Sequence, residues 1–172
     1  MPIEDIIRSF LGNPVVFFLL AFGLSVLIAI ILPIPVELFL VIPFEEGSAT
    51  LMAVALVAVA FGKAVGAWLV FLLGLKVEGA IYKWSARAEW IAKVVDALGR
   101  FVRRTGAIGL YILLSIPLMS DTAVLYFYAL FNKEGKAIDE RLFIASNFLA
   151  GVNRVALVFI LGLTLFPGLL KP

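Results

Sequence analysis

The chain has 172 residues, of which 63% are hydrophobic and 15% charged, with a mean hydropathy of +1.13. Ordinary soluble domains are about 45–50% apolar and about 25% charged, so the composition points to an integral membrane protein. Cys and His are both absent, which excludes disulfides, thiolate and imidazole metal sites and Ser-His-Asp catalysis, and a net charge of +2 gives no basis for a nucleic-acid partner.

At about 20 residues per helical span, the length allows six crossings at most, within one membrane domain covering residues 1–172. The start has no basic n-region and no small-residue cleavage site, so the first apolar run is expected to be retained. In residues 2–11, Ile3, Ile6, Ile7, Phe10 and Leu11 recur at helical spacing opposite Glu4, Asp5 and Arg8. That is the pattern of a helix lying in the membrane interface. Gly12-Asn13-Pro14 ends it.

Val15 to Phe44 is one apolar run with a single charge, Glu37, interrupted by Pro33, Pro35 and Pro43. A straight helix of that length would reach about 45 Å, more than the hydrocarbon core. The prolines also forbid a regular helix. The run is expected to be a kinked span or a re-entrant hairpin.

After an acidic loop at 45–48, residues 50–75 read as the cleanest span. Ala58, Gly62 and Gly66 stand at four-residue spacing, a small-residue face for close helix packing, and Lys63 is the one charge. Residues 76–105 hold seven of the 14 Lys and Arg, with Tyr82, Trp84 and Trp90 among them. The positive-inside rule makes this an amphipathic cytoplasmic connector. Residues 107–131 are apolar again, broken at Ser115-Ile116-Pro117 and carrying Asp121. A mixed-charge loop follows at 132–141. The last span, 142–166, contains Asn147, Asn153 and Arg154.

The two halves, 1–75 and 106–172, resemble each other. Val70-Phe-Leu-Leu-Gly-Leu75 matches Val158-Phe-Ile-Leu-Gly-Leu163, and Pro33-x-x-x-Glu37 matches Pro117-x-x-x-Asp121. The set Ile3, Ile6, Ile7, Phe10 returns as Ile91, Val94, Val95, Leu98. The expected fold is all-α: a polytopic transmembrane helical protein with two similar halves, each with a proline-broken or re-entrant segment. Kinked segments give four spans and parallel halves, whereas re-entrant hairpins give inverted halves.

Glu37, Lys63, Asp121 and Arg154 lie inside apolar runs, where an unpaired charge costs roughly 2.5–3.5 kcal/mol on insertion scales. Each half supplies one acid and one base. The functional expectation is a neutral cluster of the four at the interface of the halves, lining a polar cavity. The carboxylates would exchange a proton and the cations would hold an anionic group. Ser115, Ser120 and Asn153 are further candidates for that cavity, beside Thr122 and Asn147. Two other readings stay open: buried ion pairs that only lock the halves together, or a Lys63 or Arg154 that snorkels to an interface. Tyr126 and Tyr128 read as interface-belt residues.

At Pro33-Ile-Pro-Val-Glu37-Leu-Phe-Leu-Val-Ile-Pro43 the chain resembles the DedA/VTT membrane family and the related small multidrug export proteins. Gly62-x-x-x-Gly66 fits both, as does Thr105-Gly106-Ala-Ile-Gly109-Leu before Ser115-Ile-Pro117-Leu. The resemblance implies broken or re-entrant helices and transport or lipid translocation, in bacterial members of undecaprenyl phosphate coupled to ion gradients, with the acid carried over to Glu37. It departs at Ala67, where an acid is expected, at Phe39, where the related group has Arg, and around Pro117, where flanking arginines are replaced by Ser115, Ser120 and Asp121. The resulting expectation is a multi-pass cell-membrane transporter or lipid translocase, not an enzyme. It needs no cofactor, has membrane lipids as partners and a proton or sodium as coupling ion, and leaves room for a homo-oligomer. The alternative is a non-transporting scaffold or subunit of a membrane complex.

Overall fold

The first helix starts where Asn13 and Pro14 provide the two standard entry devices. The Asn13 side-chain oxygen accepts from the N–H groups of Val15 at 3.0 Å and Val16 at 3.4 Å, and Pro14 occupies a position whose donor would be unpaired anyway. In the computed structural model, residues 13–32, 48–85, 89–132 and 135–165 are described, and all regular structure among them is helical. The helices are α1 (Pro14–Ile30), α2 (Ala49–Ser85), α3 (Glu89–Ser115), α4 (Asp121–Phe131) and α5 (Glu140–Leu165). The segment with Pro33, Pro35, Glu37 and Pro43 and the amphipathic stretch at 2–11 lie outside the described residues, so the broken first-half segment and its match to Pro117 do as well.

Helix α2 begins with the Ser48 hydroxyl accepting from Leu51 N–H at 3.2 Å. It does not end at residue 75, where the sequence turns polar, but continues to Ser85. Lys76, Val77 and Glu78 change the polarity of the chain without removing a backbone donor, and no proline follows until Pro117. The backbone therefore has no reason to stop. Its 37 residues reach about 55 Å. Within it Ala49–Val77, and within α5 Glu140–Leu161, are long and apolar enough to cross a membrane; α1 and α4 are shorter apolar helices.

Helix α3 is two segments joined at Gly106, whose φ of 55° and ψ of −150° are open essentially only to glycine. It stops at Ser115, and residues 116–120 form the break around Pro117. The turn between α4 and α5 is organised by the buried Asn132. Its amide donates to the Ile138 carbonyl at 2.7 Å, and its oxygen accepts from the N–H groups of Ala137 at 3.0 Å and Ile138 at 2.9 Å.

Helix α2 is the centre of the fold. It packs along α1 over the largest surface, then on α5 and α4, while α3 leans on α5 and α4. The small-residue face does what its spacing implies. Ala58 is fully buried in a cluster with Phe17, Ala21 and Ile28 of α1. A Cβ on Gly62 would stand 2.6 Å from the Phe22 carbonyl oxygen, and one on Gly66 would collide with the Cβ of Ala29. Both obstacles are backbone or the base of a side chain, so neither can swing aside. Gly66→Leu is therefore expected to push α1 off α2 and lower stability by about 1–3 kcal/mol, measured by reversible unfolding in mixed micelles. Gly23→Leu serves as control, since a Cβ there meets nothing within 4 Å.

Outside this core, Leu19, Leu20, Phe61, Trp68, Leu72, Leu149 and Ile160 are exposed. Large apolar side chains exposed on several helices fit an apolar surrounding such as a bilayer.

Candidate functional site

Three charged side chains from three helices meet in the interior. Lys63 comes from the middle of α2, Asp121 from the first residue of α4 and Arg154 from the middle of α5. Each is 2% exposed or less. The Lys63 ammonium contacts both carboxylate oxygens of Asp121, Oδ1 at 3.2 Å and Oδ2 at 3.1 Å. Arg154 Nη1 donates to Oδ1 at 2.7 Å.

The rest of the Arg154 guanidinium is spent on the proline break. Nε donates to the Ile116 carbonyl at 3.0 Å, and Nη2 to the carbonyls of Ile116 and of Met119, the latter at 2.7 Å. Pro117 has no N–H, and Leu118 adopts a left-handed φ of 64°, a conformation costing about 1–2 kcal/mol for a residue with a Cβ. The carbonyls of the break thus lie outside the regular helical ladder. A planar fork of donors meets both needs, which a point-charge ammonium does not.

Helix polarity adds to this. Asp121 is the first residue of α4, where unpaired N–H groups and the helix dipole favour a negative charge. Ser120 caps that helix, its hydroxyl accepting from Ala123 N–H at 3.3 Å. Thr122, one residue on, donates to the Ile28 carbonyl at 2.5 Å, with the Leu32 carbonyl at 3.1 Å sharing the proton. This pins the end of α1 to the start of α4. Asn147 of α5 donates to the Lys63 carbonyl at 2.5 Å. Gly151, one turn further along α5, leaves room for the Lys63 stem: a Cβ there would meet its Cδ at 3.2 Å.

Among the described residues, four buried polar atoms have no hydrogen bond of regular geometry: Asp121 Oδ2, which has the ionic contact with Lys63, and Asn147 Oδ1, Ser115 Oγ and Ser25 Oγ. Asp121 and Asn147 belong to the cluster, and Ser115 directly precedes Ile116, whose carbonyl Arg154 holds. Buried polar atoms without partners are costly, and such positions attract ordered water where there is room for it. Described residues line two grooves away from the cluster. One, lined by Met52, Leu56, Val155 and Phe159, is apolar; the other lies along α3. Neither lining includes Lys63, Asp121 or Arg154.

The structure thus joins three of the four charges singled out in the sequence. Glu37, the fourth, lies outside the described residues. Neither Lys63 nor Arg154 snorkels, since both are fully buried. Ser115 sits beside the cluster, Ser120 is a helix cap, and Asn153 is half-buried and makes no hydrogen bond to the three charges. Tyr128, read as an interface residue, is fully buried. Its hydroxyl lies 2.8 Å from that of Thr105, which itself donates to the Phe101 carbonyl. A tyrosine flanked by apolar residues carries no sequence sign of such a partner, because Thr105 lies across a helix break. The described residues contain no group of three Asp or Glu that could hold a metal ion.

Comparison with protein-family models, with curated proteins and with solved structures yields no match to this chain.

Proposed function

We propose that the chain is a multi-pass cell-membrane transporter or lipid translocase of the DedA/VTT type, working through the Lys63–Asp121–Arg154 cluster. The observation that carries this reading is a carboxylate fully buried between two helices long enough to cross a membrane. It is shared by a cation from each, and it sits at the edge of a proline break. Ionisable groups inside apolar spans are expensive and mark ion or substrate pathways. Backbone broken at membrane depth is tolerated where protein or a water-filled cavity satisfies it.

The burial of all three charges fits the occluded state of such a device. A proton on Asp121 cancels the charge that both cations hold. Lys63 and Arg154 can then take an anionic group, and the Ile116 and Met119 carbonyls lose the fork that fixes the break. A sodium ion would act on the same carboxylate by competing with the cations. The matched segments Val70–Leu75 in α2 and Val158–Leu163 in α5 support two related halves, with residues 76–105 on the cytoplasmic side.

A second reading is favoured by one observation. Every donor group of Arg154 described above already has a fixed acceptor, as expected for a static lock in a scaffold or subunit. Reconstituted vesicles separate the two. The transporter reading expects protein-dependent flux of a labelled anionic lipid, or of protons or sodium, lowered at least tenfold in Glu37→Gln vesicles of equal protein content. No flux above protein-free vesicles for any of these removes the reading. Undiminished flux with Glu37→Gln takes that acid out of the mechanism.

A further inference from the structure

We infer that the segment of α3 before Gly106 carries a docking surface for anionic phospholipid headgroups, with Arg100, Arg103 and Arg104 as the phosphate donors. The inference rests on the membrane reading above, but on a different set of residues.

The surface is an open groove of about 580 Å³ lined by Ala97, Arg100, Phe101, Arg103 and Arg104. Arg100 stands three and four residues from the other two arginines, so all three crowd one side of the helix. Like charges at these spacings repel, and no acidic residue lines the groove to relieve them. The nearest acid in sequence, Asp96, faces Arg100 at the i,i+4 spacing and can offset one of the three charges, leaving a net positive groove. A phosphodiester placed among the three accepts forked, charge-assisted hydrogen bonds and removes the repulsion.

The second observation identifies the anion as part of a lipid. Trp90, Val94, Ala97 and Phe101 form one stripe along the segment of α3 before Gly106. It is open to the surroundings, with Trp90 71% and Val94 49% exposed. The arginines border this stripe. A soluble phosphate would be served by the cations alone. Only an amphiphile uses both, its headgroup on the guanidinium groups and its chains along the stripe.

The groove is also held in place. Phe101 meets the ring of Phe127 edge-on at 5.9 Å, and the Thr105–Tyr128 contact fastens the same turn to α4. The donors are therefore presented by a fixed helix end, next to the α4 whose first residue is Asp121.

The chain has no Cys, so a Val94→Cys substitution gives one labelling site on the stripe. The full-length protein, labelled there with a small fluorophore, is reconstituted in phosphatidylcholine vesicles containing brominated phosphatidylglycerol or, separately, brominated phosphatidylcholine at equal mole fraction. Quenching by the anionic lipid is expected to exceed that by the zwitterionic one by about twofold or more, given several-fold local enrichment per cation. The ratio is expected to fall to about one when Arg100, Arg103 and Arg104 are all replaced by Gln. Inorganic phosphate at matched ionic strength is expected to leave the wild-type ratio unchanged. A wild-type ratio of one, or a ratio surviving the triple substitution, overturns the site, and a ratio abolished by inorganic phosphate reassigns the groove to a free anion and overturns the lipid as occupant. Protein that fails to float with the vesicles overturns the membrane reading itself, and that failure is distinct from equal quenching in protein that floats.

Discussion

Asp121→Asn is expected to lower stability by about 3 kcal/mol or more, the scale for breaking a buried ion pair by removing one partner. Asparagine keeps the shape and one acceptor, but removes the charge and sets an amide donor against one of the cations. In the wild type, Oδ1 takes both Lys63 at 3.2 Å and Arg154 at 2.7 Å; a neutral amide oxygen can still accept a hydrogen bond but carries no charge to balance either cation. The effect is read by reversible unfolding in mixed micelles. A double-mutant cycle refines it. Lys63→Met should cost less in the Asp121→Asn background than in the wild type, with a coupling of about 1–3 kcal/mol. Additive costs would mean that the ammonium draws its stabilisation from elsewhere.

Arg154→Lys conserves the charge and is still expected to cost about 2–3 kcal/mol, the range for hydrogen bonds to charged groups. A lysine reaches Asp121 or the break, but one ammonium does not reproduce the planar set of bonds to Ile116, Met119 and Asp121 together. The loss should be localised. Amide exchange of residues 118–120 should rise well above that of α4, because the left-handed Leu118 then lacks the fork that holds its neighbours. Equal protection in both proteins would mean that the break holds its own shape.

The sequence exposed the charges because of where they stood. Lys63, Asp121 and Arg154 are conspicuous as single ionisable residues in apolar runs, and their cost in such a setting demands company. The sequence could not reveal which group serves which. Arg154 is tied to Ile116 and Met119 through backbone carbonyls, and every residue has a carbonyl, so no side-chain pattern marks the acceptors. Pro117 announced the break, but the conformation of Leu118 depends on the fork that holds it. Ala58, Gly62 and Gly66 were legible as a packing face because close approach needs small residues at helical spacing, although α1 as the partner was not. The span read at 50–75 agrees with the apolar stretch Ala49–Val77, while the helix itself runs on to Ser85. Polarity changes at Lys76, but hydrogen bonding in the helix is indifferent to it. Ser120 looked like a polar cavity residue because a serine beside a proline break serves as cap or lining equally well. Tyr128 looked like a belt residue because its partner, Thr105, lies beyond two interruptions in the chain.

Solvent access at Ser115 tests most directly whether the buried charges are part of a pathway. Ser115→Cys is a near-isosteric change at a hydroxyl that has no hydrogen-bond partner and precedes the Ile116 carbonyl held by Arg154. In reconstituted vesicles, a membrane-impermeant thiol reagent is expected to modify this cysteine slowly but to completion, orders of magnitude behind a Lys93→Cys control on the exposed face of α3. Complete modification of the control with none at position 115 would show that water never reaches the carboxylate, and would leave Lys63, Asp121 and Arg154 as a lock.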